Sequence, residues 1–231
     1  MSVSVPGADI RGMFDRIAGR YDRANHIMSA GVDVLWRRKA VRTLLAGLGD
    51  APCALDLGAG TLDGAVEILR QRPGARVCAV DFARNMLAAG KRKPAAARVA
   101  AQVADAHALP YQDAVFDGAF SAFCVRNLAD LALAMRGLRR VVRSGGRVVI
   151  LEFFRPERRR PFWDGFYNAH VLPLLGRAVT GDAAAYRYLP GSMARFLHRE
   201  EFEALLRAAG FARVRGSDLF PASVASLVVA E

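Results

Sequence analysis

The sequence predicts a doubly wound α/β core, a parallel sheet with helices on both faces. Three observations carry this. From Cys53 onward short apolar runs alternate with amphipathic stretches. A glycine loop, Leu55-Asp56-Leu57-Gly58-Ala59-Gly60-Thr61, follows the first run and leads into a helical stretch, and Asp81 closes the second run. The 231 residues suit one domain, and 53% hydrophobic with 24% charged residues is too apolar for a disordered chain. No stretch reaches the roughly 18 apolar residues of a membrane span, and residues 1–12 lack a basic segment followed by an apolar one, so a cytosolic chain is expected.

Taken in order, Phe14, Ile17, Ala18 and Tyr21, then Val34, Leu35, Ala40, Val41, Leu44 and Leu45, recur at helical spacing and make the region up to Ala46 helical. Cys53–Leu57, Arg76–Val80, Arg98–Val103 and Phe116–Phe123 read as buried strands, and Gly64–Arg70, Arg84–Lys91 and Leu131–Val142 as the helices between them. Ser144-Gly145-Gly146 punctuates a turn into a fifth strand, Arg147–Phe153. Residues 155–196, with four prolines and seven aromatic residues, exceed a plain connection and read as a lid over a flat apolar ligand. A helix, Arg199–Ala209, and two strands, Ala212–Leu219 and Val224–Ala230, close the chain as an antiparallel hairpin added to the sheet.

The loop narrows the ligand. A dinucleotide fingerprint needs a small residue at position 63, which is Asp63, while Gly64 falls one residue late. Asp81, 21 residues after Gly60, is placed to accept from a ribose diol, and nothing nearby suits a pyrophosphate. A ligand with ribose and adenine but no phosphate fits better, and S-adenosylmethionine is the common one. Asp105, after the third strand, is placed to accept from an adenine amino group while Ala106 offers its backbone N–H; the alternative for Asp105 is a helix cap. Cys53, Cys78 and Cys124 form no CxxC pair, so neither a disulfide framework nor a metal site is suggested. A net charge of +11 implies attraction to something anionic, with Arg-rich composition as the plainer source.

Several blocks in order resemble the class I S-adenosylmethionine-dependent methyltransferases, and more closely the ubiquinone and menaquinone biosynthesis C-methyltransferase family: Met13-Phe14-Asp15-Arg16-Ile17-Ala18 with Arg20-Tyr21-Asp22; Leu35-Trp36-Arg37-Arg38; Phe123 with Arg126-Asn127-Leu128; Leu151-Glu152-Phe153; and Tyr186-Arg187-Tyr188-Leu189. The resemblance implies a seven-stranded, mostly parallel sheet with an antiparallel last strand. It divides the chain into a helical substrate cap (1–48), a cofactor core (49–153), an aromatic lid (154–198) and a C-terminal helix with strands (199–231). It implies S-adenosylmethionine held by Asp56, Gly58, Gly60, Thr61, Asp81, Phe82, Met86, Asp105, Ala106 and Ala122. The family's serine falls on Ala122, Leu62 replaces a glycine, and Cys124 replaces another.

The implied substrate is a polyprenylated quinol, demethylmenaquinol before a benzoquinol, contacted by Phe14, Tyr21, Asn127, Phe153, Tyr186 and Tyr188. Ring-carbon methylation needs alignment and a group that holds phenolate or takes a proton. Arg126, His170 and Tyr21 are the candidates; against these stand an ion pair of Arg126 with Asp130 or Glu152, a packed His170, and core roles for Tyr21 and Tyr186. Arg155, Arg158, Arg159 and Arg160 suit anionic lipid headgroups or form a solvated basic turn. RNA is the rival partner for the charge, but no base-chemistry motif accompanies it, so no nucleic acid is expected. A homodimer is compatible with the sequence, and so is a fold kept only for binding.

Overall fold

The computed structural model describes residues 7–155, 183–220 and 225–231. Its sheet is seven-stranded in the order β3-β2-β1-β4-β5-β7-β6, with β1 Cys53–Leu57, β2 Arg76–Asp81, β3 Ala100–Val103, β4 Phe116–Ala122, β5 Val142–Glu152, β6 Val214–Asp218 and β7 Ser226–Ala230. β1 through β5 pair in parallel, and β7 runs antiparallel to both β5 and β6. The expected alternation, strand count and reversed last strand are all present.

The two faces of the inner strands feed different cores. Ala54, Val77, Ala79, Phe120, Val149 and Leu151 meet one helical layer, in which α3 (Val32–Leu45) presents Trp36, Ala40, Val41, Leu44 and Leu45, and α4 (Asp63–Gln71) presents Ile68 and Leu69. Leu55, Leu57, Val80, Ala119, Val148 and Ile150 meet the other, built by α6 (Leu131–Val141) and α8 (Arg199–Ala208), with Met135, Leu138, Phe202 and Leu206. Two buried faces explain why these strands read as continuous apolar runs rather than alternating ones. The N-terminal helical region is three helices: α1 (Gly7–Ile17) and α2 (Tyr21–Met28) precede α3. α5 (Arg84–Lys91) follows β2, and α7 (Ala183–Arg195) precedes α8.

One expected turn is absent. Ser144-Gly145-Gly146 lies inside β5 as an irregularity of pairing: Phe116 faces Val142, then Gly118 faces Arg147. Gly145 takes a left-handed backbone (φ 74°), which lets the extra residues bulge out without ending the strand. The strand order reverses between β1 and β4, so a crevice opens at their carboxyl ends, where open α/β sheets bind ligands.

Asp56, on β1, is buried, and its Oδ2 accepts from the Ala65 N–H at 2.7 Å, which ties α4 to the sheet. Burial pushes its carboxyl up from 3.8 to about 7, against the pull of that hydrogen bond. The native chain therefore holds a proton that the unfolded chain has already released above pH 4. Stability from this group is full below about pH 4 and is lost as pH rises to about 7, by up to about 4 kcal/mol. Asp56→Asn keeps the acceptor and removes the titration, so its unfolding free energy should be flatter than wild type over that window; denaturant melts at pH 4.5 and 7.5 give the comparison, and parallel slopes would overturn it.

Candidate cofactor and substrate site

The loop after β1 is shaped by what stands behind it. Gly58 has φ 66°, and a Cβ there would lie 2.0 Å from Cys124 Sγ and 2.6 Å from Cys124 Cβ. Cys124 follows β4, so the glycine lets the two strand ends close together. Gly64, one residue late for a dinucleotide fingerprint, serves helix–strand packing: a Cβ on it would stand 2.6 Å from Phe120 Cε1 and 2.7 Å from Asp56 Oδ2. Leu62 holds φ 67° in a fully buried position, a strained backbone stabilised by its packing in the α3–α4 layer.

Asp81 is buried at the end of β2. Its Oδ2 accepts from the Gly60 N–H at 2.8 Å and its Oδ1 from the Ala83 N–H at 2.8 Å, so one carboxylate holds both turns that border the crevice. Burial raises its pKa while these N–H groups oppose the rise. Each oxygen retains a lone pair for a ligand hydroxyl. Asp105, after β3, is exposed; the N–H and ring of His107 hold its carboxyl below the usual range. His107 Nδ1 lies 2.6 Å from Asp105 Oδ1, and its Nε2 accepts from the Asp130 N–H at 3.1 Å, which leaves the ring proton on Nδ1, directed at Asp105.

These groups border a cleft of about 470 Å³, within the range of small-molecule sites. Gly58, Gly60, Asp81, Phe82, Met86, Asp105, Ala106 and Ala122 line it, together with Phe14, Tyr21 and Asn127. Asp56 and Thr61 stand behind the loop rather than in the lining: Asp56 anchors α4, and the Thr61 hydroxyl donates to Asp22 Oδ1. Ala122 carries no hydroxyl, and the neighbouring Ser121 turns its own inward to the Leu57 carbonyl oxygen at 2.7 Å. Glycines that admit the backbone, paired acceptors after β2 and β3, and, among the described residues, a lining whose fixed cation is Arg11 rather than a cluster fit a ribose- and adenine-bearing ligand.

Beyond the loop the walls turn aromatic. Phe123 leaves β4 in a left-handed backbone (φ 55°), which aims its ring into the cleft, and Phe153 stacks on it at 4.5 Å with 26° between planes. Phe153 is thus behind the lining rather than in it. Tyr21 lies edge-on to Phe14 at 6.1 Å; burial raises its pKa, so the phenol stays protonated near neutral pH. The Tyr188 hydroxyl, from α7, donates to Asn127 Oδ1 at 2.8 Å. Arg126 turns away from the lining: Nη1 donates to Glu152 Oε1 at 2.6 Å and to the Phe123 carbonyl oxygen at 2.7 Å. Of the two partners expected from the sequence, Glu152 takes the ion pair, and Asp130 caps α6 through the Leu133 N–H at 2.8 Å. His170, Arg158, Arg159, Arg160 and the Tyr186 side chain lie outside the described residues.

The family model described as the ubiE/COQ5 methyltransferase family matches residues 3–229. The chain belongs to the ubiE/COQ5 methyltransferase family. Among its relatives, a ubiquinone/menaquinone biosynthesis C-methyltransferase of Syntrophotalea carbinolica is 42% identical over 93% of this chain and 90% of its own length. A demethylmenaquinone methyltransferase of Thermus thermophilus is 43% identical over 86% and 91%. A Thermotoga maritima S-adenosylmethionine-dependent methyltransferase of known structure superposes with a TM-score of 0.66 at 19% identity, covering 95% of this chain and 97% of its own. The protein is thus a methyltransferase whose cofactor is S-adenosylmethionine.

Asp22, part of the Arg20-Tyr21-Asp22 block to which the sequence attaches no role, has one in the structure. In this methyltransferase Asp22, from α2, accepts from Thr61 and receives Lys93 Nζ at 2.6 Å, while Lys93 Nζ also reaches the Thr61 carbonyl oxygen at 2.8 Å. One carboxylate thereby pins the N-terminal helices onto the cofactor loop. Asp22→Ala is expected to weaken S-adenosylmethionine binding about tenfold, the loss of one charge-assisted hydrogen bond; calorimetric titration measures it, and an unchanged affinity would mean the pin does not organise the loop.

Proposed function

We propose that this chain methylates a ring carbon of a polyprenylated quinol, demethylmenaquinol in preference to the corresponding benzoquinol. The observation that carries the reading is a single cleft lined both by the cofactor-holding acceptors and by Phe14, Tyr21, Phe123 and Asn127, in a family whose Thermus relative is named for demethylmenaquinone. S-Adenosylmethionine, when bound, supplies an electrophilic methyl group on a sulfonium. The protein's own work is alignment and exclusion of water. The rings of Phe14 and Phe123 flank a flat substrate, and the Tyr21 phenol, held protonated by burial, donates to a quinol oxygen. Asn127, its Oδ1 fixed by Tyr188, keeps its amide N–H groups for the second oxygen.

Arg126 sets this wall by holding Phe123 and Glu152 together, and favours the phenolate by its positive charge at the sheet edge. His170 is the candidate to accept the quinol proton. Thr61 contributes through the loop it shares with Gly60. A polyprenyl tail keeps such a substrate in the bilayer, so the chain works at the membrane surface; no helix among the described residues is long and apolar enough to cross it. Anaerobic incubation with methyl-labelled S-adenosylmethionine and chemically reduced demethylmenaquinol or benzoquinol tests the reading. Label in the naphthoquinol alone is expected. Label in neither, with cofactor binding intact, would overturn it.

A further inference from the structure

We propose that the outer face of α2 and α3 is the surface through which this protein docks on an anionic lipid bilayer, an inference that rests on the polyprenylated-quinol reading. Between residues 20 and 46 the acidic residues are Asp22 and Asp33. Both are turned inward: Asp22 to Thr61 and Lys93, and the buried Asp33 to Ser29 Oγ at 2.6 Å and Arg37 Nη2 at 3.3 Å. The exposed charges are basic. Along α3, Leu35, Arg38, Lys39 and Arg42 are exposed at i, i+3, i+4 and i+7, one stripe opposite the buried Trp36, Ala40 and Leu44. Along α2, Arg23, His26 and Ile27 form a matching exposed stripe. Glu67, near Arg38, is already engaged by Arg70 and Gln71.

Apolar groups sit among these cations. Ile27 and Leu35 are 49% and 59% exposed. Cations around exposed apolar side chains match headgroup phosphates above an acyl boundary. Two aliphatic groups offer no stacking plane for bases, which sets this face apart from a single-strand platform. A second copy meeting it through a two-fold contact would oppose like charges. The same helices carry Tyr21 into the cleft and Asp22 onto the cofactor loop, so docking there brings the reaction site to the depth at which a prenylated ring emerges.

The test is co-sedimentation of the full chain with phosphatidylcholine vesicles, with or without phosphatidylglycerol. Binding to the anionic vesicles alone is expected, weakening as salt rises. Arg38→Gln/Lys39→Gln/Arg42→Gln should lower that affinity by roughly a hundredfold, and Ile27→Ser/Leu35→Ser should lower it independently. The triple variant should methylate an unprenylated, water-soluble quinol at the wild-type rate yet lose transfer to a prenylated quinol held in vesicles. Equal binding to both vesicle types, a triple variant that binds like wild type, or loss of RNA binding or of self-association in place of vesicle binding would each overturn the assignment. Absence of transfer to the soluble quinol, with anionic-vesicle binding intact and sensitive to the substitutions, would remove the substrate reading and support the docking face.

Discussion

Gly58→Ala should weaken S-adenosylmethionine binding by roughly a hundredfold, equivalent to about 3 kcal/mol. Two costs combine in one methyl group. The backbone at 58 is left-handed, where an L side chain costs about 1–2 kcal/mol. The added Cβ would also stand 2.0 Å from Cys124 Sγ and 2.6 Å from Cys124 Cβ, an atom fixed to the backbone that no rotation of the half-buried thiol moves away. Relief must then come from the loop or from the end of β4, and either movement displaces groups that line the cleft. Cys124→Gly in the same chain removes the collision and leaves the backbone strain, so the double variant should regain about half of the lost binding energy. Calorimetric titration of the four chains closes a double-mutant cycle. Independent effects at the two positions would show that the contact does not govern the loop.

Arg126→Met should destabilise the fold by about 3–5 kcal/mol, because Glu152 has no exposure and would be left as a buried carboxylate without its cation. Burial already raises the Glu152 pKa, and Arg126 is the main force against that rise. Arg126 also ties three segments: the Phe123 carbonyl oxygen after β4, Glu152 at the end of β5, and Ser192 Oγ of α7 at 3.3 Å. Arg126→Met/Glu152→Leu removes both charges together and should recover most of the stability in urea melts. That double variant separates two roles. If Arg126 only holds the wall, labelled-methyl transfer returns with stability; if its charge also favours the phenolate, transfer stays low and its pH profile moves to higher pH.

How much was legible in the sequence follows from the range of the forces involved. Strand boundaries agreed within two residues for β1 to β4: burial on both faces turns β1, β2 and β4 into apolar runs with polar ends, whereas the edge strand β3 is mostly exposed and was legible from its small and β-branched residues and its place after α5. The glycine loop and Asp81 were legible because a strand, a turn and a helix set them locally. Asp22 was not, since its partner Thr61 is 39 residues away and its own surroundings are those of an ordinary helix start. The packing of Cys124 against Gly58 spans two strands, so neither residue signals it alone. His107 was passed over although it follows Asp105 by two residues, a spacing that lets a ring fold back onto a carboxylate. In β5 the Ser-Gly-Gly run carried a turn signal, and pairing with β4 on either side kept it within the strand.

The place of β7 bears on how the chain is made. It is the last of the seven strands in sequence, yet it lies between β5 and β6, matching Val148–Glu152 on one side and Val214–Asp218 on the other. Until a ribosome has delivered residues 226–230, β6 has nothing to pair with and β5 presents an open edge running through Val148, Val149, Ile150 and Leu151. A nascent chain that has reached β6 therefore waits with the β5 ladder unmatched, which is the circumstance in which strands recruit the wrong neighbour. Pauses in translation between β5 and β7 should thus be more harmful to the yield of this protein than pauses between β1 and β4, where each new strand joins beside one already in place.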